Sequence, residues 1–454
     1  MKQPRYTKTT AVLGAAATLA CGLSAPGQSV DGLLDKLVDK GVLSVKEAND
    51  LREEADKDFT KAYAAKSGLP DWVTSLKFGG DLRLRYDGLN YGSIPGSVDQ
   101  YRGRFRLRFG FTAMLWDNFE VGLRLGSGNV DSGIPTGGID PISQNQTMQN
   151  NASKKGIFID LAYAKWTPIN TPTWQGTFTA GKMENPFVFS DMVFDKDYTP
   201  EGAAMNWVYN VNDFHSINVN GGLFILDESS STYNDPYMLG IQALWNAVWT
   251  RGEGGAKELS STLGVGALNI VNSEALTITS VPYINRGNQR NAAGVLVNYY
   301  NPIVASGSLT YKLPSMFAYS GAFPITVAGE YMSNPATSSD QNTGWNAGVT
   351  FGKSGKRGTW DIGYRYKHLE GDAWYEQVVD SDFGAYYQKK SDRSTTTGYG
   401  SGTNVRGHIF KAAYSPTDAV TLSVTYFLTH LIEASPAHSL SQTSRLQVDA
   451  TFKF

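Results

Sequence analysis

From residue 75 onward, apolar and polar residues alternate with a period of two. Leu76, Phe78, Leu82, Leu84 and Tyr86 take even positions, with Lys77, Asp81, Arg83, Arg85 and Asp87 at odd ones. This is the pattern of a strand whose two faces meet different surroundings. The next run sets Tyr101, Phe105, Leu107, Phe109, Phe111, Ala113 and Leu115 against Arg102, Arg104, Arg106, Arg108 and Thr112. A helix would scatter both sets around its axis. Near the end of the chain, Leu446, Val448, Ala450, Phe452 and Phe454 alternate with Gln447, Asp449 and Lys453.

About sixteen such runs can be traced, near 75–89, 99–115, 119–126, 156–167, 175–183, 201–209, 215–226, 236–249, 258–271, 304–313, 323–332, 342–352, 358–369, 405–414, 419–430 and 442–454. Crossing an apolar band about 25 Å tall at a tilt of about 45° takes roughly 11 residues, which these lengths fit. The connections alternate between short ones, such as Trp116–Asn118 and Ser415–Asp418, and long ones at 127–155, 184–200, 272–303 and 370–404. The fold predicted is all-β, a transmembrane antiparallel β-barrel of about 16 strands with short turns on the periplasmic side and long loops outside. A soluble sandwich would also alternate. It would then have to bury many Tyr and Trp polar atoms in its core, whereas a barrel places aromatics in interfacial girdles and small polar residues in a wet lumen.

The period-two pattern is absent before residue 71. Lys2, Arg5 and Lys8 precede an apolar stretch from Ala11 to Leu23 and small residues through Gly27, the layout of a signal peptide over 1–28. Cys21, the one cysteine, invites a lipoprotein reading, but Thr18 stands where Leu is preferred. Residues 29–70 read as a periplasmic helical or coiled-coil segment. Leu33, Leu34, Leu37 and Val38 recur at helical spacing, Gly41 interrupts them, and Ser44 to Glu47 has the capping-box pattern. Residues 71–454 are assigned to the barrel.

Composition agrees. Charged residues are 18% of the chain, below the roughly 25% of soluble domains, and aromatics reach 12%. The mean hydropathy of −0.29 is no argument against a membrane barrel, whose apolar face is only every second residue. A net charge of −2 gives no reason to expect nucleic acid as a partner.

Candidate chemistry is electrostatic rather than catalytic. The five histidines show no metal-ligand spacing, and no nucleophile-elbow, Walker or dinucleotide motif has its proper context. No catalytic residue, cofactor or metal is therefore expected, and the chain is read as a non-enzyme. Arg83, Arg85, Arg102, Arg104, Arg106, Arg108 and Arg124 all fall on the polar faces of the first three runs and form one basic wall, with Lys182 a further pore-lining candidate. The loop after the fifth run carries Glu184, Asp191, Asp195, Asp197 and Glu201. A wall and a loop of opposite sign would set a transverse field across a constriction. A calcium site at Asp191, Asp195 and Asp197 is the competing reading, though their spacing matches no dedicated calcium loop.

Several segments resemble the Putative porin family of bacterial outer-membrane channels, within the general porin superfamily. They are Gly41-Val42-Leu43-Ser44, Gly181 through Phe187, Asp195 through Gly202, Asp380 through Gly384, and Thr403 through His408. The resemblance implies a passive outer-membrane diffusion channel for small hydrophilic solutes and ions, embedded in lipid and assembled as a homotrimer. With the basic wall, it leads to an expectation of weak anion preference. The alternative is a structural or sheath barrel that holds a periplasmic partner or the cell wall through residues 30–66.

Overall fold

The structure, a computed structural model, describes residues 68–454 except 93–97, 129–139, 229–232, 253–256, 278–280, 282–285, 385–400 and 434–441. The expected signal peptide and helical segment thus lie, up to residue 67, outside the described residues. Ser75–Phe454 forms one compact unit. Its strands are β1 (Val73–Asn90), β2 (Gln100–Leu115), β3 (Phe119–Gly128), β4 (Gln146–Thr147), β5 (Gly156–Asn170), β6 (Trp174–Lys182), β7 (Glu201–Asn210), β8 (His215–Ile225) and β9 (Tyr237–Arg251). They continue as β10 (Lys257–Val271), β11 (Ile303–Leu313), β12 (Phe323–Ser333), β13 (Thr343–Gly352), β14 (Thr359–Leu369), β15 (Val405–Ser415), β16 (Val420–Leu431) and β17 (Thr443–Lys453).

Each expected run is a strand within a few residues of its predicted bounds. All but β4 pair with their chain neighbours in antiparallel register, and β1 pairs with both β2 and β17, so sixteen strands close a ring. The exception is β4, a two-residue strand that the alternation did not predict. It lies inside the long connection after β3 and extends the ladder of β2 through Arg104↔Thr147 and Phe105↔Gln146.

Closure follows from the alternation, because an apolar face that lipid can cover leaves no reason to stack a second sheet, and a ring removes the unpaired edges. At the seam, Asp81↔Lys453 through Asn90↔Ser444 are in register. Gly80 N–H donates to Phe454 O at 2.8 Å, and Phe454 N–H donates back to Gly80 O at 3.1 Å. Beside the seam, a Cβ at Gly80 would lie 2.3 Å from the carbonyl oxygen of Arg108, so the close approach of the β1 and β2 backbones demands glycine there. Outward aromatics cluster near the short turns. Trp166 stacks between Phe119 and Phe178, with centroids at 5.8 and 6.3 Å, and Trp174 stacks on Tyr209 at 4.3 Å.

The long connections turn inward. Phe187, Met192, Val193 and Phe194 from the loop 183–200 pack with Trp374, Tyr375, Val378 and Val379 from the connection after β14. Inward residues Phe224, Met238, Leu268, Val304 and Met332 complete this apolar core at the long-loop end of the strands. A buried hub locks two of these connections together. Glu376 pairs with Arg290 at 2.9 Å and accepts from the backbone N–H groups of Arg286 and Asn288 at 2.9 and 3.0 Å.

Candidate channel constriction

The loop 183–200 crosses the lumen because it is tied to strands on several sides of it. At its start Glu184 pairs with Arg124 of β3 at 2.7 Å. Val188 exchanges two hydrogen bonds with the side chain of Gln242 on β9, each 2.9 Å. Ser190 N–H donates to Glu330 of β12 at 3.1 Å. Asp191 then pairs with Arg365 and, at 3.2 Å, with Lys367 of β14. The chain returns to β2, where Asp197 meets Arg106 at 2.8 Å and Arg108 at 3.3 Å.

The arginine wall is a network of pairs rather than a row of free charges. Arg85 bonds Asp449 at 2.7 Å and Asp382 at 3.1 Å. Arg102 and Arg104 share Asp87, at 2.5 and 3.4 Å, while Arg445 reaches the same fully buried carboxylate at 2.7 Å. Arg106 and Arg108 share Asp81 at 2.9 and 2.8 Å. Arg124 also pairs with Asp160. Arg83 differs, donating to the neutral Asn145 at 2.8 Å. The even spacing of arginines along β2 put their side chains on one face, but their carboxylate partners come from β1 and from the loop 183–200.

A second inward segment was not anticipated as part of the site. Asp380 pairs with Lys367 at 2.9 Å, and Asp382 pairs with Arg445 at 3.0 Å. The backbone joins this segment to the first loop: Asp195 N–H donates to Val378 O at 2.8 Å, and Asp380 N–H donates to Asp191 O at 3.0 Å. The sequence signal was present in Asp380-Ser381-Asp382, two carboxylates two residues apart, but nothing local indicated that they meet Lys367 and Arg445.

The three loop aspartates point to different partners. Burial raises the Asp191 carboxyl, but Lys367 and Arg365 outweigh it and hold the group below the usual carboxylate range. At Asp197 burial is likewise outweighed, by Arg106, Arg83 and Arg108. Asp195 goes the other way: burial, then the nearby Asp380 and Asp197 carboxylates, push it well above the usual range. It accepts from the N–H of Ser381 at 3.0 Å and of Asp197 at 2.9 Å. Among the described residues no group of three or more His, Cys, Asp or Glu side chains is arranged to hold a metal ion.

Two expected members fall elsewhere. Glu201 opens β7 instead of belonging to the loop, because the ladder with β6 extends as far as Lys182↔Glu201. Those two side chains pair with each other at 3.0 Å, and Lys182 also donates to Thr199 O at 3.0 Å. Neither is among the residues lining the cavities beside the loop.

Two charged cavities flank the crossing. One, of about 550 Å³, is lined in part by Thr112, Arg124, Tyr163, Lys165, Thr179 and Glu184. The other, of about 600 Å³, is lined in part by Arg83, Arg85, Asp191, Asp195, Asp197 and Arg365.

Known proteins resemble the chain at several levels. Over 87% of this chain and 97% of the other, it superposes on the high-pH structure of Pseudomonas putida OprB, with 10% identity and a TM-score of 0.47. It superposes on Salmonella typhi OmpF in complex with daunomycin over 84% and 97%, with 12% identity and a TM-score of 0.44. In sequence it is 26% identical over 216 residues to the probable autotransporter YfaL of Escherichia coli (strain K12), spanning 45% of this chain and only 16% of that protein. Residues 94–250, a stretch that takes in β2 through nearly all of β9, match the family described as Putative porin.

Proposed function

We propose that the protein is an outer-membrane diffusion channel for small hydrophilic solutes and ions, acting by permeation rather than catalysis, with its long loops facing outside and the loop 183–200 as its constriction. The observation that carries this reading is the crossing itself: a loop bound at Asp197 to β2 and at Asp191 to β14, between two charged cavities. Such a partition narrows a lumen while leaving polar surface on both sides.

The acidic loop facing the basic wall supports a weak anion preference, smaller than free arginines would give. An unpaired charge at roughly 8 Å contributes about 0.5 kcal/mol in bulk water and about 2 kcal/mol at an effective dielectric of 20. Most of the wall arginines have carboxylate partners. The positive surplus then rests on Arg83, with its neutral partner, and on exposed Lys196. A homotrimer in lipid is part of the same proposal. Purified protein in a planar bilayer should give steady single-channel current with a small anionic reversal potential in a tenfold salt gradient. A barrel that inserts and passes no current would overturn the reading in favour of a sheath.

A further inference from the structure

The register of the strands brings together three side chains that are scattered in sequence. Along one hydrogen-bonded row, Ala305↔Tyr331, Tyr331↔Trp345, Trp345↔His368, His368↔Arg406 and Arg406↔His430 are direct partners on β11 to β16. The row shares its parity with Ile362, Tyr364, Phe410, Leu422, Val424 and Tyr426, which are exposed by 38 to 54% on the outward face. Up to Trp345 it is apolar or aromatic; over β14, β15 and β16 it becomes His, Arg and His. Each of these three residues lies one position from the long-loop end of its strand.

The surroundings are those of an interface between water and hydrocarbon. Trp345 stacks on His368 with centroids at 6.0 Å and planes at 15°. His408, the next outward residue of β15, has Nδ1 2.9 Å from Tyr364 Oη and lies edge-on to Tyr366 at 5.0 Å. Arg406 is exposed, and His368 and His430 are partly so. Glu370 lies 3.4 Å from His368 Nε2, with its other oxygen taken by Thr343 N–H and hydroxyl. Further along the same face is an apolar hollow of about 320 Å³, lined in part by Val349, Phe351, Ile362, Phe410, Ala412 and Val424. It exists because Ala412 stands in register between the larger Ile362 and Val424. At 3.3 Å per residue, Phe410 and Ala412 lie roughly 13–20 Å from Arg406 along β15, within reach of an extended acyl chain.

We infer that this face of β14–β16 binds a phosphate-bearing lipid of the outer leaflet, with Arg406 and the flanking imidazoles on the headgroup and the hollow at Ala412 on an acyl chain. A cation on a lipid-facing strand is tolerated near the interface and gains from an anionic headgroup there. Imidazole N–H and guanidinium groups are donors suited to phosphate oxygens. The inference goes beyond permeation and rests on the outer-membrane orientation proposed above, but its readout is independent of current.

The test uses the full chain in neutral detergent micelles, with native mass spectrometry of adducts after adding dipalmitoyl-phosphatidate, dipalmitoylglycerol or inorganic phosphate. Wild type should retain phosphatidate, and the double variant Arg406→Gln, His430→Gln should retain about fivefold less. Ala412→Trp, which fills the hollow and leaves the charges, should lower retention as well. Dipalmitoylglycerol and inorganic phosphate should not be retained. Heat-dependent gel mobility verifies that each variant is folded. Equal phosphatidate retention by the double variant would overturn the proposal. So would equal retention of inorganic phosphate, or a change of oligomer mass with unaltered lipid retention, which would make the face a contact between copies. Absence of current from protein that still retains phosphatidate would overturn the channel reading alone.

Discussion

Arg106 holds Asp197 with a single nitrogen: Nη1 lies 2.8 Å from one carboxylate oxygen and 2.9 Å from the other, while Nη2 reaches Asp81 at 2.9 Å. One guanidinium thereby joins a barrel strand, its neighbour and the loop that crosses the lumen. Arg106 is 7% exposed at its side chain and Asp197 22%, so water screens the contact only partly. The loop's position on this side of the barrel depends on that pair.

Asp197→Asn should therefore loosen the loop and alter selectivity together. Arg106 keeps Asp81, so we expect a loss of about 2 kcal/mol rather than the larger cost of a fully orphaned buried charge. The reversal potential should move toward anions, because Arg106 and Arg108 lose a shared carboxylate. An unchanged reversal potential, measured beside a lowered unfolding temperature, would place Asp197 outside the ion path.

Replacing Arg104, Arg106 and Arg108 with Gln should shift selectivity strongly toward cations. The reason is the pairing: Asp81, Asp87 and Asp197 remain and lose their counter-charges. The shift should shrink as salt rises from 0.1 to 1 M, where the Debye length falls from about 10 Å to about 3 Å. A variant that folds and retains the wild-type reversal potential would remove these side chains from the channel wall.

Acid should detach the loops. Asp191, Asp197 and Asp382 are all held below the ordinary carboxyl value of 3.8, by cations that outweigh their burial. Groups of that sign contribute stability that is present above the unfolded value and is lost as pH falls through the lower folded values. Asp195 has the opposite sign, so its contribution is present at low pH and is lost as pH rises from 3.8 toward its raised folded value. Thermal unfolding followed by gel mobility should show stability falling below about pH 4. Asp191→Asn should flatten that fall, and an equally steep fall in the variant would mean that other carboxylates govern acid sensitivity.

Gly80→Val should weaken the seam. Its Cβ would meet the Arg108 carbonyl oxygen at 2.3 Å and the Phe454 ring at 2.8 Å, so β1 must move away from its partners. We expect the barrel to lose its resistance to SDS at a lower temperature than wild type, whereas Gly252→Ala, where a Cβ meets nothing nearer than 3.9 Å, should change heat resistance little. Equal heat resistance of the Gly80 variant and wild type would show that the seam tolerates the displacement.

The barrel was legible because its signal is local and repeated. Lipid on one side and water on the other impose a two-residue period on every strand, and the alternation of short and long connections follows from strands running up and down. The two-residue β4 was not legible, since a pair of residues carries no period. Glu201 was misplaced by proximity: it follows the acidic loop in sequence, but the β6–β7 ladder extends far enough to include it.

The sequence by itself determined which residues share a face: seven arginines on the polar faces of three strands, an acidic loop after the fifth run and apolar residues toward lipid. That is a property of backbone geometry, which assigns alternate side chains to opposite sides whatever surrounds them. Partnership was decided only by the tertiary structure. Arg85 meets Asp449 across the seam, 364 positions away in sequence, and Lys367 lies between Asp191 and Asp380 from two different loops. Ring closure and inward-folded connections set these distances, and since Coulomb energy depends on spatial separation, charges read as a free wall became pairs only when the barrel closed.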